Sequence, residues 1–136
     1  MDWKLETLVV PVADVDRAKA FYAEAVGFAV DVDHSAGEDF RVVQLTPKGS
    51  GCSISLMKNE EAAGSLQGLH LVVPDIDEAQ RVLGAGAVTT SDVFHFEEGT
   101  QVAGPDPGRG DYESFLSFSD PDGNGWLVQE VPSRAE

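Results

Sequence analysis

The chain repeats itself. Residues 5–28 run Leu-Glu-Thr-Leu-Val-Val-Pro-Val-Ala-Asp-Val-Asp, then an alanine-rich amphipathic stretch, then Gly27-Phe28. Residues 66–88 run Leu-Gln-Gly-Leu-His-Leu-Val-Val-Pro-Asp-Ile-Asp, then a second such stretch that reaches Gly84-Ala85-Gly86. Self-similarity at this spacing means one supersecondary unit built twice. That restricts the architectures open to 136 residues more than any single motif does.

Each copy begins with an apolar run short enough for a strand and closes it with Asp-x-Asp. Asp14 and Asp75 are suited to cap helices, because a short carboxylate accepts the unpaired N–H groups of a first turn. After Asp14 the apolar residues Val15, Ala18, Phe21, Tyr22 and Ala25 recur at helical spacing; after Asp75 come Ile76, Ala79, Val82 and Leu83. Gly27, and Gly84 or Gly86, stand where a helix can end in a left-handed residue. Strand-like runs follow at 28–33, 40–46 and 52–57, and again at 88–94, 114–119 and 126–131. The order is β-α-β-β-β, twice, in one domain over 1–136 with modules at about 5–58 and 66–131. An α+β fold is expected, with helices on one face of strands whose other face is free. Residues 95–113 are too rich in Gly and Pro for a regular element, so they are either a loop ordered by ligand or a surface insertion.

Composition narrows the partners. The chain carries 9 basic and 24 acidic residues, a formal charge of −15, which repels nucleic acid and anionic lipid. Neither is expected as a partner. No apolar run approaches the length of a membrane span, and the start, Met1-Asp2-Trp3-Lys4, lacks the apolar core of a signal peptide. Cys52 is the only cysteine, so no disulfide forms within the chain and a reducing cytoplasm is the expected home. Nucleophile-elbow, phosphate-loop and His-Glu-x-x-His patterns are absent from the sequence.

Residues 118–125 read Phe-Ser-Asp-Pro-Asp-Gly-Asn-Gly, a type I turn with Asp120 first, Pro121 second and Gly123 fourth. This segment, just before a final strand, resembles the hallmark turn of the vicinal-oxygen-chelate superfamily of glyoxalases, bleomycin-resistance proteins and extradiol dioxygenases. So does the opening pattern of strand, Asp-x-Asp, Arg17-Ala18, Phe21-Tyr22 and Gly27-Phe28. The resemblance covers roughly residues 5–131. It implies two βαβββ modules forming a curved mixed sheet around a central cup, a small-molecule ligand in that cup, and a homodimer.

The resemblance also implies a divalent metal held by His, Glu or Gln from the first strand of each module and from the last strand. Here those positions are Thr7, Gly68 and Leu127, with Ser55 near a further glyoxalase position. Such residues do not make the shell that Zn, Fe, Ni or Mn needs. No metal or other cofactor is therefore expected, although a shifted register offers His70, Gln129 and a rim histidine as displaced ligands. His70 interrupts the apolar run Leu69–Val73 on the expected cup face and is the candidate catalytic residue. Thr7, His34, Arg41, His95 and Gln129 are the candidate ligand contacts. Two function classes stay open: a binding protein for a small organic compound, of a cationic kind that the acidity favours, and an enzyme. The enzyme would be a lyase or dioxygenase with displaced metal ligands, or a metal-free isomerase using His70.

Overall fold

The two Asp-x-Asp signals do cap helices in the computed structural model, which describes residues 1–135. Asp14 accepts from the Arg17 N–H at the start of α1 (Val15–Ala20), and Asp75 accepts from the Asp77 and Glu78 N–H groups at the start of α2 (Ile76–Ala85). The first helix continues as a wider π-helical turn over Phe21–Val26 and ends at Gly27, whose φ of +97° suits glycine. In the second helix the left-handed residue is neither Gly84 nor Gly86. Gly86 has φ −84°, and Ala87 takes the positive φ of 64° instead. The double glycine made the terminator ambiguous, and backbone bonds from Gly86, Ala87 and Val88 back to the last turn settle it one residue later.

Two compact units result. The first comprises residues 1–66 together with 120–124, and the second comprises 67–119 and 125–136. In the first, β1 (Thr7–Val12), β2 (Ala29–Ala36), β3 (Phe40–Thr46) and β4 (Ser53–Lys58) form a sheet in the order β1-β4-β3-β2. The β1–β4 pair is parallel and the others are antiparallel. Val10, Val12, Val43, Leu45, Ile54 and Leu56 form the buried side, with Ala18 and Tyr22 from the helix also buried. In the second unit, β5 (Leu69–Val73), β6 (Phe94–Glu97), β7 (Thr100–Ala103), β8 (Phe115–Ser119) and β9 (Gly125–Glu130) lie in the order β5-β9-β8-β6-β7. Again the first and last strands pair in parallel. Leu69, Leu116, Phe118, Trp126 and Val128 are its buried side, with Ile76 and Leu83 from α2. The class is α+β with two mixed sheets.

The second module departs from the expected strand set. Of the run 88–94, only an isolated bridge from Thr90 to Phe118 and the end residue Phe94 join the sheet. The supposed loop 95–113 instead supplies most of an antiparallel hairpin, β6–β7, with Phe94 opposite Ala103 and Glu97 opposite Thr100. Glu98-Gly99 turns it, both at positive φ, as a tight two-residue hairpin requires. Alternation of Phe94, Phe96 and Val102 with polar residues was the available signal; Gly and Pro further along masked it.

The Asp120–Asn124 turn is welded into the first unit, although it follows β8 in sequence. Asp120 Oδ1 accepts from the N–H groups of Asp122, Gly123 and Asn124, at 2.9–3.0 Å. Asp120 Oδ2 accepts from the Tyr22 hydroxyl and the Asn124 amide, both at 2.8 Å. Asn124 in turn donates to the Pro11 carbonyl and accepts from the Leu66 N–H. Asp122 Oδ1 takes the Ala13 N–H and the Arg17 guanidinium. Gly64, at φ +82°, packs so tightly under the turn that a Cβ would overlap the Asp122 carbonyl oxygen. Replacing Asp120 with Ala strands several buried donors at once, each costing about 1–3 kcal/mol. Asp120→Ala is therefore expected to lose at least about 3 kcal/mol of stability in urea denaturation. A midpoint equal to that of the wild type would refute this role.

Candidate functional site

Each sheet has one face packed with apolar side chains and helix and one face left open, and the period of two assigns every strand residue to a face. On the open face of the first sheet stand Thr7 and Val9 of β1, Ser53 and Ser55 of β4, Val42 and Gln44 of β3, and Val32 and His34 of β2. Thr7 is half-buried and its hydroxyl shares a hydrogen bond with Ser55 at 2.9 Å. His34 is exposed and meets Phe40 edge-on, centroids 6.4 Å apart. Thr7 and His34 share this face but lie on its opposite edge strands.

Arg41 falls on the other face. Its guanidinium holds Asp33 at 2.9–3.0 Å and Asp16 of α1 at 2.6 Å, so it ties β3 to β2 and to the helix. Arg41 and then Lys19 keep the Asp33 carboxyl well below the usual carboxylate range. A ligand contact was expected of Arg41; the alternation of β3 turns it away from the open face, and acids claim it.

His95 is likewise removed from the candidates by its surroundings. It is buried on the opposite face from Phe94 and Phe96, with Nδ1 2.7 Å from the Gly104 carbonyl and Nε2 3.0 Å from Glu97 Oε1. Both partners are acceptors, so the ring must donate from both nitrogens. The Glu97 carboxylate, and then the Gly104 carbonyl, accordingly raise its pKa above the ordinary histidine value. His95 closes the β6–β7 hairpin.

His70 and Gln129 remain together on the open face of the second sheet. Across the strands His70 lies opposite Leu127, which lies opposite Ser117; in the next row Val72, Gln129, Phe115 and Phe94 follow one another. Phe94 and Phe115 stack with centroids 5.6 Å apart, and Phe96 stands edge-on to Phe94 at 5.8 Å. A hollow of about 220 Å³ opens beside the first row, where Gly68, Ser117 and Leu127 line it. His70 is exposed, and its Nδ1 lies 2.5 Å from the Gly68 carbonyl. A carbonyl only accepts, so Nδ1 carries the proton, and in the neutral form of the ring Nε2 is then the acceptor. Gly68, at φ +80°, supplies the turn that brings its carbonyl to the ring. The three phenylalanines are the residues that sequence reasoning missed as site residues.

Glu130, one residue beyond Gln129, is buried on the other face. It accepts two hydrogen bonds from Arg109, at 2.9 and 2.5 Å, and one from the Ile76 N–H at the head of α2, at 2.8 Å. Arg109 also reaches Asp77. This anchor, with the Tyr112 N–H on the Glu130 carbonyl and the Asp106 N–H on the Ser114 hydroxyl, straps down the segment after the hairpin.

A family model described as the Glyoxalase/Bleomycin resistance protein/Dioxygenase superfamily matches residues 4–128. The chain belongs to that superfamily. TnmS3, an antibiotic binding protein from Streptomyces sp. CB03234, is 30% identical, with a TM-score of 0.74 over 96% of this chain and 97% of that one. A glyoxalase/bleomycin resistance protein from the same Streptomyces is 32% identical, with a TM-score of 0.68 over 93% and 100% of the two chains. The uncharacterized protein YetH of Bacillus subtilis (strain 168) is 26% identical over 127 residues, which span 93% of this chain and 98% of YetH.

The divalent metal that glyoxalase-superfamily membership suggests does not fit the side chains here. In the first unit Thr7 offers only a hydroxyl already bonded to Ser55. In the second, Gly68 and Leu127 have no donor atom in their side chains, and His70 stands alone among them as a nitrogen ligand. Among the described residues no group of three or more His, Cys, Asp or Glu is placed to hold a metal ion.

The Arg109 guanidinium, and secondarily the Ile76 N–H, pull the Glu130 pKa below its ordinary value against the opposing effect of burial. A lowered folded-state pKa stabilises the fold above the unfolded value, near 4.3, and that contribution disappears as pH falls through the folded value. Thermal melts from pH 6 down to pH 3 are expected to lose stability less steeply in Glu130→Gln than in the wild type. Parallel pH profiles for the two proteins would show that Glu130 is not the linked group.

Proposed function

We propose that this chain is a binding member of the glyoxalase superfamily, which holds a small organic molecule against the open face of its second sheet without a resident metal. The observation that carries this reading is the face itself. Phe94, Phe96 and Phe115 are partly open to solvent on the face that carries Gln129 and His70, with a hollow lined in part by Gly68, Ser117 and Leu127. Aromatic side chains with a few placed polar groups are the usual lining of small-molecule sites. Similarity to an antibiotic binding protein at 30% identity supports the same reading. One observation favours a second: with Nδ1 donating to the Gly68 carbonyl, the neutral His70 ring would keep Nε2 unprotonated, as a metal-free isomerase would need.

Screening by thermal shift against a library of natural-product-like compounds should yield stabilising hits, and Phe115→Ala should weaken them at least tenfold with its own fold intact. Hits whose affinity Phe115→Ala leaves unchanged would place the site elsewhere. Turnover of a hit that His70→Ala abolishes would turn the reading toward the isomerase.

The donor set also fixes an expectation for metals. Protein incubated with Zn, Mn, Ni or Fe(II) and then dialysed is expected to retain far less than one equivalent by elemental analysis. One equivalent surviving dialysis would overturn the metal-free part of the proposal.

A further inference from the structure

The strand order leaves one part of the second sheet lightly attached. β7 is the edge strand and pairs with β6, and β6 meets β8 at a single pair, Phe94 opposite Phe115. Beyond that pair the hairpin reaches its Glu98-Gly99 turn with no further strand beside it among the described residues. Elements with so few backbone partners are the ones that open locally. We propose that this hairpin is a flap latched by the doubly protonated ring of His95, and that loss of one ring proton loosens it.

The latch is made from the hairpin's own groups. His95 is 4% exposed, on the face away from the phenylalanines. Its Nδ1 donates to the Gly104 carbonyl at 2.7 Å, which clips the middle of β6 to the residue that follows β7. Its Nε2 donates to Glu97 Oε1 at 3.0 Å, which holds the last residue before the turn. At the base the Gly104 N–H donates to the Val93 carbonyl. On the opposite face Phe94 and Phe96 lie against the Phe115 ring.

Only the imidazolium satisfies both acceptors at once. A neutral ring has one N–H, so it keeps one partner and turns a lone pair toward the other. If it keeps Gly104, the Glu97 side chain, already 59% exposed, swings into water and the tip is released. If it keeps Glu97, the clip to the end of β7 is lost. Either tautomer removes one of the two side-chain ties.

The surroundings favour the charged ring. Glu97 and Glu98 stand on the same hairpin, and the segment after β7 adds Asp106. Neither β7 nor β8 carries a titratable group. β9 brings Glu130, which Arg109 holds together with Asp77 of α2, and Arg81 of α2 is paired with Glu78. The Glu97 carboxylate, and then the Gly104 carbonyl, lift the His95 pKa above its ordinary 6.5 while burial opposes them. Because the folded-state value is the higher one, the latch is complete below about pH 6.5 and is lost as pH rises through the folded-state value. Phe94 and Phe96 ride on this hairpin, so on the binding reading above the flap positions two rings of that face.

Amide hydrogen exchange of the full chain between about pH 6 and about pH 9, corrected for the intrinsic pH dependence of exchange, tests the latch alongside an NMR titration of the His95 ring. Amides of residues 95–103 should exchange about tenfold faster above the His95 midpoint than below it, as the loss of one charge-assisted hydrogen bond implies, while those of β9 stay unchanged. Glu97→Gln, a change at an exposed side chain, should lower the ring midpoint and the exchange midpoint together. His95→Gln should remove the pH response of the hairpin. A ring midpoint at or below about 6.5 overturns the proposal, as does hairpin exchange that ignores the ring titration or a pH response that persists in His95→Gln. If His95→Gln does not fold, Glu97→Gln decides, and midpoints that fail to move together overturn the latch. Equal acceleration of β9 means that the whole unit loosens, which overturns it as well. All of these readouts are taken without ligand, so failure of the latch leaves the binding reading as it stands.

Discussion

A single buried carboxylate organises the first unit. Asp120 takes five hydrogen bonds: three from the backbone of its own turn, one from Tyr22 in the π-helical segment and one from Asn124. Through Asn124 the same network reaches the Pro11 carbonyl of β1 and the Leu66 N–H that ends the unit. Such a group is stable out of water only because nearly all of its acceptor capacity is used. A carboxylate needs donors from several directions, and a tight turn with three convergent N–H groups provides them; the Asp-Pro-Asp-Gly-Asn sequence is the solution. Among the described residues, Asp122 Oδ2 alone is a buried side-chain oxygen or nitrogen without a partner.

The second unit meets the same need with different residues. Glu130, at the end of β9, satisfies the first N–H of α2 and is neutralised by the forked guanidinium of Arg109. In both halves an acid near the chain's end reaches the start of a helix that was laid down early: Asp122 to Ala13 and Arg17, Glu130 to Ile76. Sequence separations of 54 to 109 residues mean these bonds form only when each unit closes. They do not secure a local element. Arg109 adopts φ +47° to make its part, a conformation uncommon outside glycine, and the paired hydrogen bonds offset that strain.

Local physics made much of the fold legible. The caps at Asp14 and Asp75, the apolar spacing of both helices, Gly27, and the strands around 40–46 and 115–119 all follow from patterns that one element satisfies by itself. What failed depended on partners that sequence does not announce. Phe94-His95-Phe96-Glu97 is strand because it pairs with β7 and touches β8 at Phe115, and a Gly- and Pro-rich tail hid that pairing. Site residues divide along the same line. The common face of His70 and Gln129 was readable from alternation along β5 and β9. Arg41 and His95 were chosen for their chemistry, and their roles are decided by Asp33, Asp16, Glu97 and Gly104, neighbours set by pairing and not by proximity in sequence.

The distribution of charge connects architecture to function. Acids cap helices, hold arginines and cover the outer surface, while the open face of the second sheet is left neutral and aromatic. If solubility alone were selected, the exposed Val72 and Phe96 would be the first positions to turn polar, since they stabilise no core. Both stay exposed on a chain whose formal charge is −15. A metal centre would instead need several converging His or carboxylate groups, and the buried carboxylates Asp120 and Glu130 are held by structural donors. The same economy that fixes Asp120 and Glu130 in structural roles leaves His70 as the one ionisable side chain on that face.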